Sequence, residues 1–224
     1  RLSGAVPVLL VLSGCLHMEQ TVTVARDGSA DIVFRYSVAE RLLPVAAEGQ
    51  RLIQTWQGRN SARTPAGRLD WFLNRQAVER HFSNGAVRME SYRTYEQDGR
   101  RHVVVECKTG DIRAAFREGS IGEFQLAASA DDRETVTLKA RLARTERQNE
   151  LSEQTKEELA ALASGCRIRL KIVIPTPVVE TTAHESGERS ATWVFDADRD
   201  AEFLYKTPDV HVSFRRDGLA WAPR

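Results

Sequence analysis

The sequence predicts an α+β domain: an antiparallel β-sheet built from hairpins, with helices inserted between them and packed on one face. Three observations carry this. Alternating polar and apolar stretches come in pairs, two of them joined by Asp27-Gly28 and Asp98-Gly99, the dipeptide that best marks a tight hairpin turn. Between the pairs the apolar period lengthens to that of a helix, as in residues 69–82 and 152–163. Residues 167–174 (Arg-Ile-Arg-Leu-Lys-Ile-Val-Ile) set Ile168, Leu170, Ile172 and Ile174 on one face and basic residues on the other. That is the pattern of a half-buried strand.

Taken in order, the chain opens on an uncharged run, Ala5 to Leu12, that ends in Leu12-Ser13-Gly14-Cys15. The run is too short for a membrane span, which needs about 20 apolar residues, and suits the core of a signal peptide. Its ending resembles the lipobox of bacterial lipoproteins. The resemblance implies cleavage before Cys15, a diacylglyceryl group on the Cys15 sulfur, and acylation of the new N-terminus. Residues 1–14 are thus read as a signal peptide, truncated at its basic end, and 15–224 as one envelope domain. The membrane is the expected partner, reached through lipidated Cys15. The next residue is Leu16 rather than Asp, which points to the outer membrane if the source is Gram-negative.

Residues 18–25 and 30–38 form the first expected hairpin, so almost no linker separates the fold from the anchor. From Ala39 a helical period runs through Leu52, Ile53 and Trp56, interrupted near Pro44 and Gly49. Residues 58–67 read as a loop. A second helix spans Leu69 to Phe82 and ends at Gly85. Residues 87–96 and 101–108 make the next hairpin, with Val87, Met89, Ser91, Arg93 and Tyr95 on one side and Tyr92 opposite. Asp111 caps a short helix to Glu118, residues 122–128 and 134–142 pair, and Ser152 caps a helix that stops before Gly165. After the strand at 167–174, Pro175-Thr176-Pro177 forces a break. Short strands at 178–182, 191–195 and 210–214 complete the fold.

Composition narrows the function. There are 32 basic and 31 acidic residues, and formal neutrality once Arg1 is removed argues against a nucleic-acid partner. Cys107 and Cys166 remain beside Cys15. In an exported protein this pair is a candidate disulfide, the plainer reading being two buried thiols.

The segment Ile174-Pro-Thr-Pro-Val-Val-Glu-Thr-Thr-Ala183, followed by a turn and Ala191-Thr-Trp-Val-Phe-Asp196, resembles the C-terminal half of a family of small bacterial lipoproteins, the LppM-type domain family. Residues 12–38, a lipobox followed by a hairpin with an Asp-Gly turn, resemble its N-terminal half. Thr176 stands where that family usually has Gly, and Thr182 where Asn is common. The resemblance implies a lipid-anchored envelope domain and, by analogy, lipid binding or a host-contact role.

Other sites are weaker. Asp196, Asp198 and Asp200 echo the start of a calcium loop, but Ala201 and Thr207 replace the Gly and Glu that such a loop needs. His17, His81, His102, His184 and His211 show no zinc spacing, and no hydrolase, phosphate-loop or dinucleotide motif occurs. No cofactor is expected. Trp56, Trp71, Phe72 and Phe82 are candidates to line an apolar cavity, against simple core packing. The expectation is a non-enzymatic, lipid-anchored protein that binds a lipid or another envelope component. The alternatives are an assembly lipoprotein that meets a partner protein at a sheet edge, and a divergent hydrolase.

Overall fold

The computed structural model describes residues 16–40, 71–82, 85–118, 121, 124–129, 134–142, 152–206 and 208–222. Strands β1 (Leu16–Val24) and β2 (Ala30–Ala39) form the first hairpin, in register from Leu16↔Val38 to Val24↔Ala30. Its turn works as Asp-Gly predicts. Gly28 takes a φ of +94°, and the Asp27 carboxylate accepts from the Ser29 amide and hydroxyl at 2.9 and 2.7 Å. The hydroxyl bond, then the amide bond, hold Asp27 below the usual carboxylate pKa.

The second hairpin joins β3 (Val87–Gln97) to β4 (Arg100–Thr109). Asp98 and Gly99 both have positive φ, 52° and 67°, as a type I′ turn requires. A bulge between Met89 and Ser91 shifts the β3 register. This corrects the single alternating face expected for the strand. Val87, Met89 and, past the bulge, Tyr92 face the core, and the Tyr92 hydroxyl donates to Phe72 O at 3.0 Å. Ser91, Arg93 and Tyr95 fall on the opposite face.

The remaining strands are β5 (Phe124–Ser129), β6 (Thr135–Leu142), β7 (Arg167–Val173), β8 (Val178–Thr181), β9 (Glu185–Gly187), β10 (Ser190–Asp196) and β11 (Val210–Arg215). Among the described residues the helices are α1 (Arg75–Phe82), α2 (Ile112–Glu118) and α3 (Glu153–Leu162). The class is α+β, as expected. The hairpins, however, divide between two sheets. One has seven strands, ordered β3-β4-β2-β1-β7-β10-β9, and the other four, β5-β6-β11-β8. All pairs are antiparallel except β1 with β7.

The break after β7 sends the chain from the large sheet to the small one. The Thr182 hydroxyl ties the two together: it accepts from Trp193 Nε1 at 3.2 Å and the His211 amide at 3.1 Å, and donates to Asp209 O at 2.9 Å. Trp193 belongs to β10 of the large sheet and His211 to β11 of the small one.

One core lies between the sheets. Val22, Ile32, Phe34, Val105, Leu170, Ile172 and Trp193 enter it from the large sheet, and Val136, Leu138, Val212 and Phe214 from the small one. Ile112 and Ala115 of α2 and Val78 and Phe82 of α1 join them. A fully buried side chain of this size contributes about 1.5–3 kcal/mol, whereas an exposed ion pair contributes about 0–1, so this interior and not the surface charge decides the fold. Helix α3 is capped as predicted: Ser152 Oγ accepts from the Thr155 amide at 3.2 Å, and Gly165 has a φ of +73°.

The end of the chain closes over the first hairpin. Trp221 is 1% exposed, and its indole N–H donates to Ala25 O at 3.2 Å. Ala220 N donates to Arg26 O at 2.9 Å. A Cβ on Gly28 would lie 2.9 Å from Trp221 Cβ.

Candidate functional site

Alternation leaves the large sheet with a second face, opposite the core. Cross-strand register builds that face in rows. One row runs Tyr95, His102, Ser37, His17, Arg167, Asp196 across β3, β4, β2, β1, β7 and β10. The next row runs Arg93, Val104, Arg35, Glu19, Arg169, Val194 over the same strands. That face holds a groove of about 470 Å³, lined by residues of both rows and by Glu185. The groove sits at the end of the sheet where β1 begins.

Its chemistry is charged and aromatic. Glu19 pairs with Arg35 at 3.3 Å, and Glu185 with Arg169 at 3.3 Å. Arg100 donates to Ser37 Oγ at 3.0 Å and to Ser37 O at 3.1 Å. Among the described residues, no carboxylate lies within ion-pair distance of Arg167. The Tyr95 and His102 rings stack, centroids 4.8 Å apart and planes 3° from parallel, and Tyr95 is 47% exposed. Burial, then the charges of Arg100 and Arg167, hold the His17 imidazole below its ordinary pKa. The lining carries Arg35, Arg167 and Arg169 against Glu19 and Glu185, one guanidinium more than it has carboxylates, which suits it to an anion.

The residues singled out in the sequence are placed as follows. Cys15 and Trp56 lie outside the described residues. Trp71 falls in a 3-10 turn, Trp71–Leu73, which replaces the first part of the expected helix. Phe72 and Phe82 both belong to the core, each packed against a different ring of β2. Phe72 stacks on Tyr36 at 4.7 Å, and Phe82 lies 5.3 Å from Phe34. Both are nearly fully buried in the core.

The candidate Cys107–Cys166 disulfide is not formed. Cys107 is buried in β4, and Cys166 immediately precedes β7. Strands β2 and β1 stand between them. Three strand spacings amount to about 14 Å, twice the span of roughly 7 Å that a disulfide bridges. Burial, with a smaller contribution from Glu90, pushes the Cys107 thiol up to about 12.

The three aspartates near the end of β10 are engaged locally. Asp196 accepts from the Asp198 amide at 3.1 Å. Asp198 accepts from the Gly165 amide at 2.9 Å and the Ser164 hydroxyl at 2.8 Å, the two bonds that hold its pKa low. Asp200 caps the 3-10 turn Ala201–Leu204 by accepting from Glu202 N at 2.8 Å. Among the histidines, His184 Nδ1 accepts from the Val194 amide at 2.9 Å, and His211 Nδ1 lies 3.2 Å from Asp209. Sequence reasoning missed His17 and Arg167 as neighbours, because they meet only through the parallel β1–β7 pair. The one available signal was the outward basic face of residues 167–171.

No family model matches this sequence, and no curated protein does either. Among solved structures, the chain is similar to the folded domain of LppM from Mycobacterium tuberculosis, determined by NMR. The identity is 11% and the TM-score 0.44, with 91% of each chain covered.

Proposed function

We propose that this chain is a lipid-anchored protein of the bacterial cell envelope that acts by binding at the membrane surface rather than by catalysis. Cys15 is the anchored residue, and the ligand is a lipid or another envelope component. The observation that carries the reading is the start of β1 at Leu16, directly after the lipobox Cys15. A chain modified at Cys15 has no tether on which to swing away, and its sheet begins at the lipid surface. The groove at that same end supports binding. In a cell with two membranes, Leu16 after the Cys favours the outer membrane, periplasmic side.

Contact with a partner protein through a sheet edge has less support. The outer strand β3 carries a bulge and the charged residues Arg88, Glu90, Arg93 and Glu96, all of which oppose strand addition. Globomycin, which blocks lipoprotein signal cleavage, tests the anchor. Treated cells should accumulate an unprocessed precursor, and the Cys15→Ser chain should leave the membrane fraction. Normal processing under the inhibitor would refute the lipobox reading.

A further inference from the structure

We infer that the groove on the outer face of the large sheet binds the phosphate of anionic phospholipid headgroups in the leaflet that carries the anchor, with Arg167 as its main contact. This rests on the anchoring reading, which sets Cys15 in that leaflet. Three independent features converge on it.

The first is place. His17 stands two residues after Cys15, and the row His17–Arg167 lies at the sheet end where the chain emerges from the membrane.

The second is charge. Arg35 and Arg169 are already matched by Glu19 and Glu185. Arg167 is not matched among the described residues, and its cross-strand neighbours are His17 and Asp196. A phosphate set between Arg167 and the Ser37–Arg100 pair would meet guanidinium and hydroxyl donors.

The third is the aromatic wall. Tyr95, among the exposed large side chains, is stacked on His102 at the margin of the same groove. A tyrosine with an apolar ring and a wet hydroxyl suits the headgroup zone.

The test uses the mature chain from residue 15 with Cys15→Ser, which keeps every described element and removes the lipid. Sedimentation is measured with vesicles of phosphatidylcholine alone and of phosphatidylcholine with phosphatidylglycerol. The chain should follow the anionic vesicles only. Arg167→Glu should lower the partition coefficient by about tenfold or more, since each basic residue near an anionic surface matters several-fold. Lys206→Glu, the same change of net charge on a side chain that pairs with Glu202 and does not line the groove, should have little effect. Circular dichroism confirms that both variants fold.

Equal loss in the two variants would overturn the site in favour of diffuse charge attraction. So would absence of vesicle binding, and inorganic phosphate that shifts the His17 ring signals without any vesicle binding would reassign the groove to a free anion. Because the protein here is unlipidated, any of these failures leaves the anchor at Cys15 untouched.

Discussion

Gly28→Ala probes how the end of the chain is fastened to its beginning. Two costs are expected. Gly28 has a φ of +94°, and an L-residue held at positive φ loses about 1–2 kcal/mol. The new Cβ would also sit 2.9 Å from Trp221 Cβ, well inside the contact distance of about 3.5–4.0 Å between carbons. Trp221 is 1% exposed and bonded to Ala25 O, so it does not swing aside without breaking that bond. Overpacking of this kind costs about 1–3 kcal/mol. Gly99→Ala is the control. Its φ is +67°, and no atom lies within 4 Å of its Cβ position, so it bears only the first cost. The difference of about 1–3 kcal/mol corresponds to roughly 2–12 °C in melting temperature for a domain of this size. Thermal unfolding followed by far-ultraviolet circular dichroism reads it. Equal melting temperatures for the two variants would show that Trp221 does not pack on the hairpin as described.

Thr182→Val leaves the Trp193 indole N–H and the His211 amide without their acceptor and should cost about 1–3 kcal/mol in urea unfolding, more than a surface Thr→Val. With its thiol raised to about 12 and buried, Cys107 should resist alkylation in the folded protein and react once the chain is denatured without reductant; a Cys107 that stays blocked after denaturation would restore the disulfide. Asp198 has a depressed pKa in the folded state, so its stabilising effect is present above the unfolded carboxylate value and is lost as pH falls through the folded one. The stability gap between the native protein and Asp198→Asn, measured by urea unfolding, should therefore be open at neutral pH and close as the pH falls below the ordinary carboxylate range.

What the sequence disclosed was local. Asp27-Gly28 and Asp98-Gly99 mark their turns because few other residues accept positive φ, and Ser152 and Gly165 bound α3 through caps that act within a few residues. The burial pattern of β7 followed from its own alternation. The β3 bulge escaped notice because one extra residue reverses the inward face without altering composition, so Tyr92 and Tyr95 exchange sides. The β1–β7 pairing and the split into two sheets depend on which distant strands bury one another, and no local period encodes that. The groove inherits this limit. His17, Ser37, His102 and Arg167 are unremarkable one by one, and only the strand order makes them neighbours. Asp196, Asp198 and Asp200 show the reverse case: a pattern visible in sequence resolves into three separate backbone caps.

The position of β1 between an antiparallel and a parallel neighbour has a mechanical consequence. A pull on residue 16 acts lengthwise along β1, against the hydrogen bonds to β2 on one side and β7 on the other. Such a load shears two ladders at once rather than unzipping one bond at a time. Under the proposed anchoring at Cys15, the end of the domain that would bear the load is also where its backbone is held on both flanks.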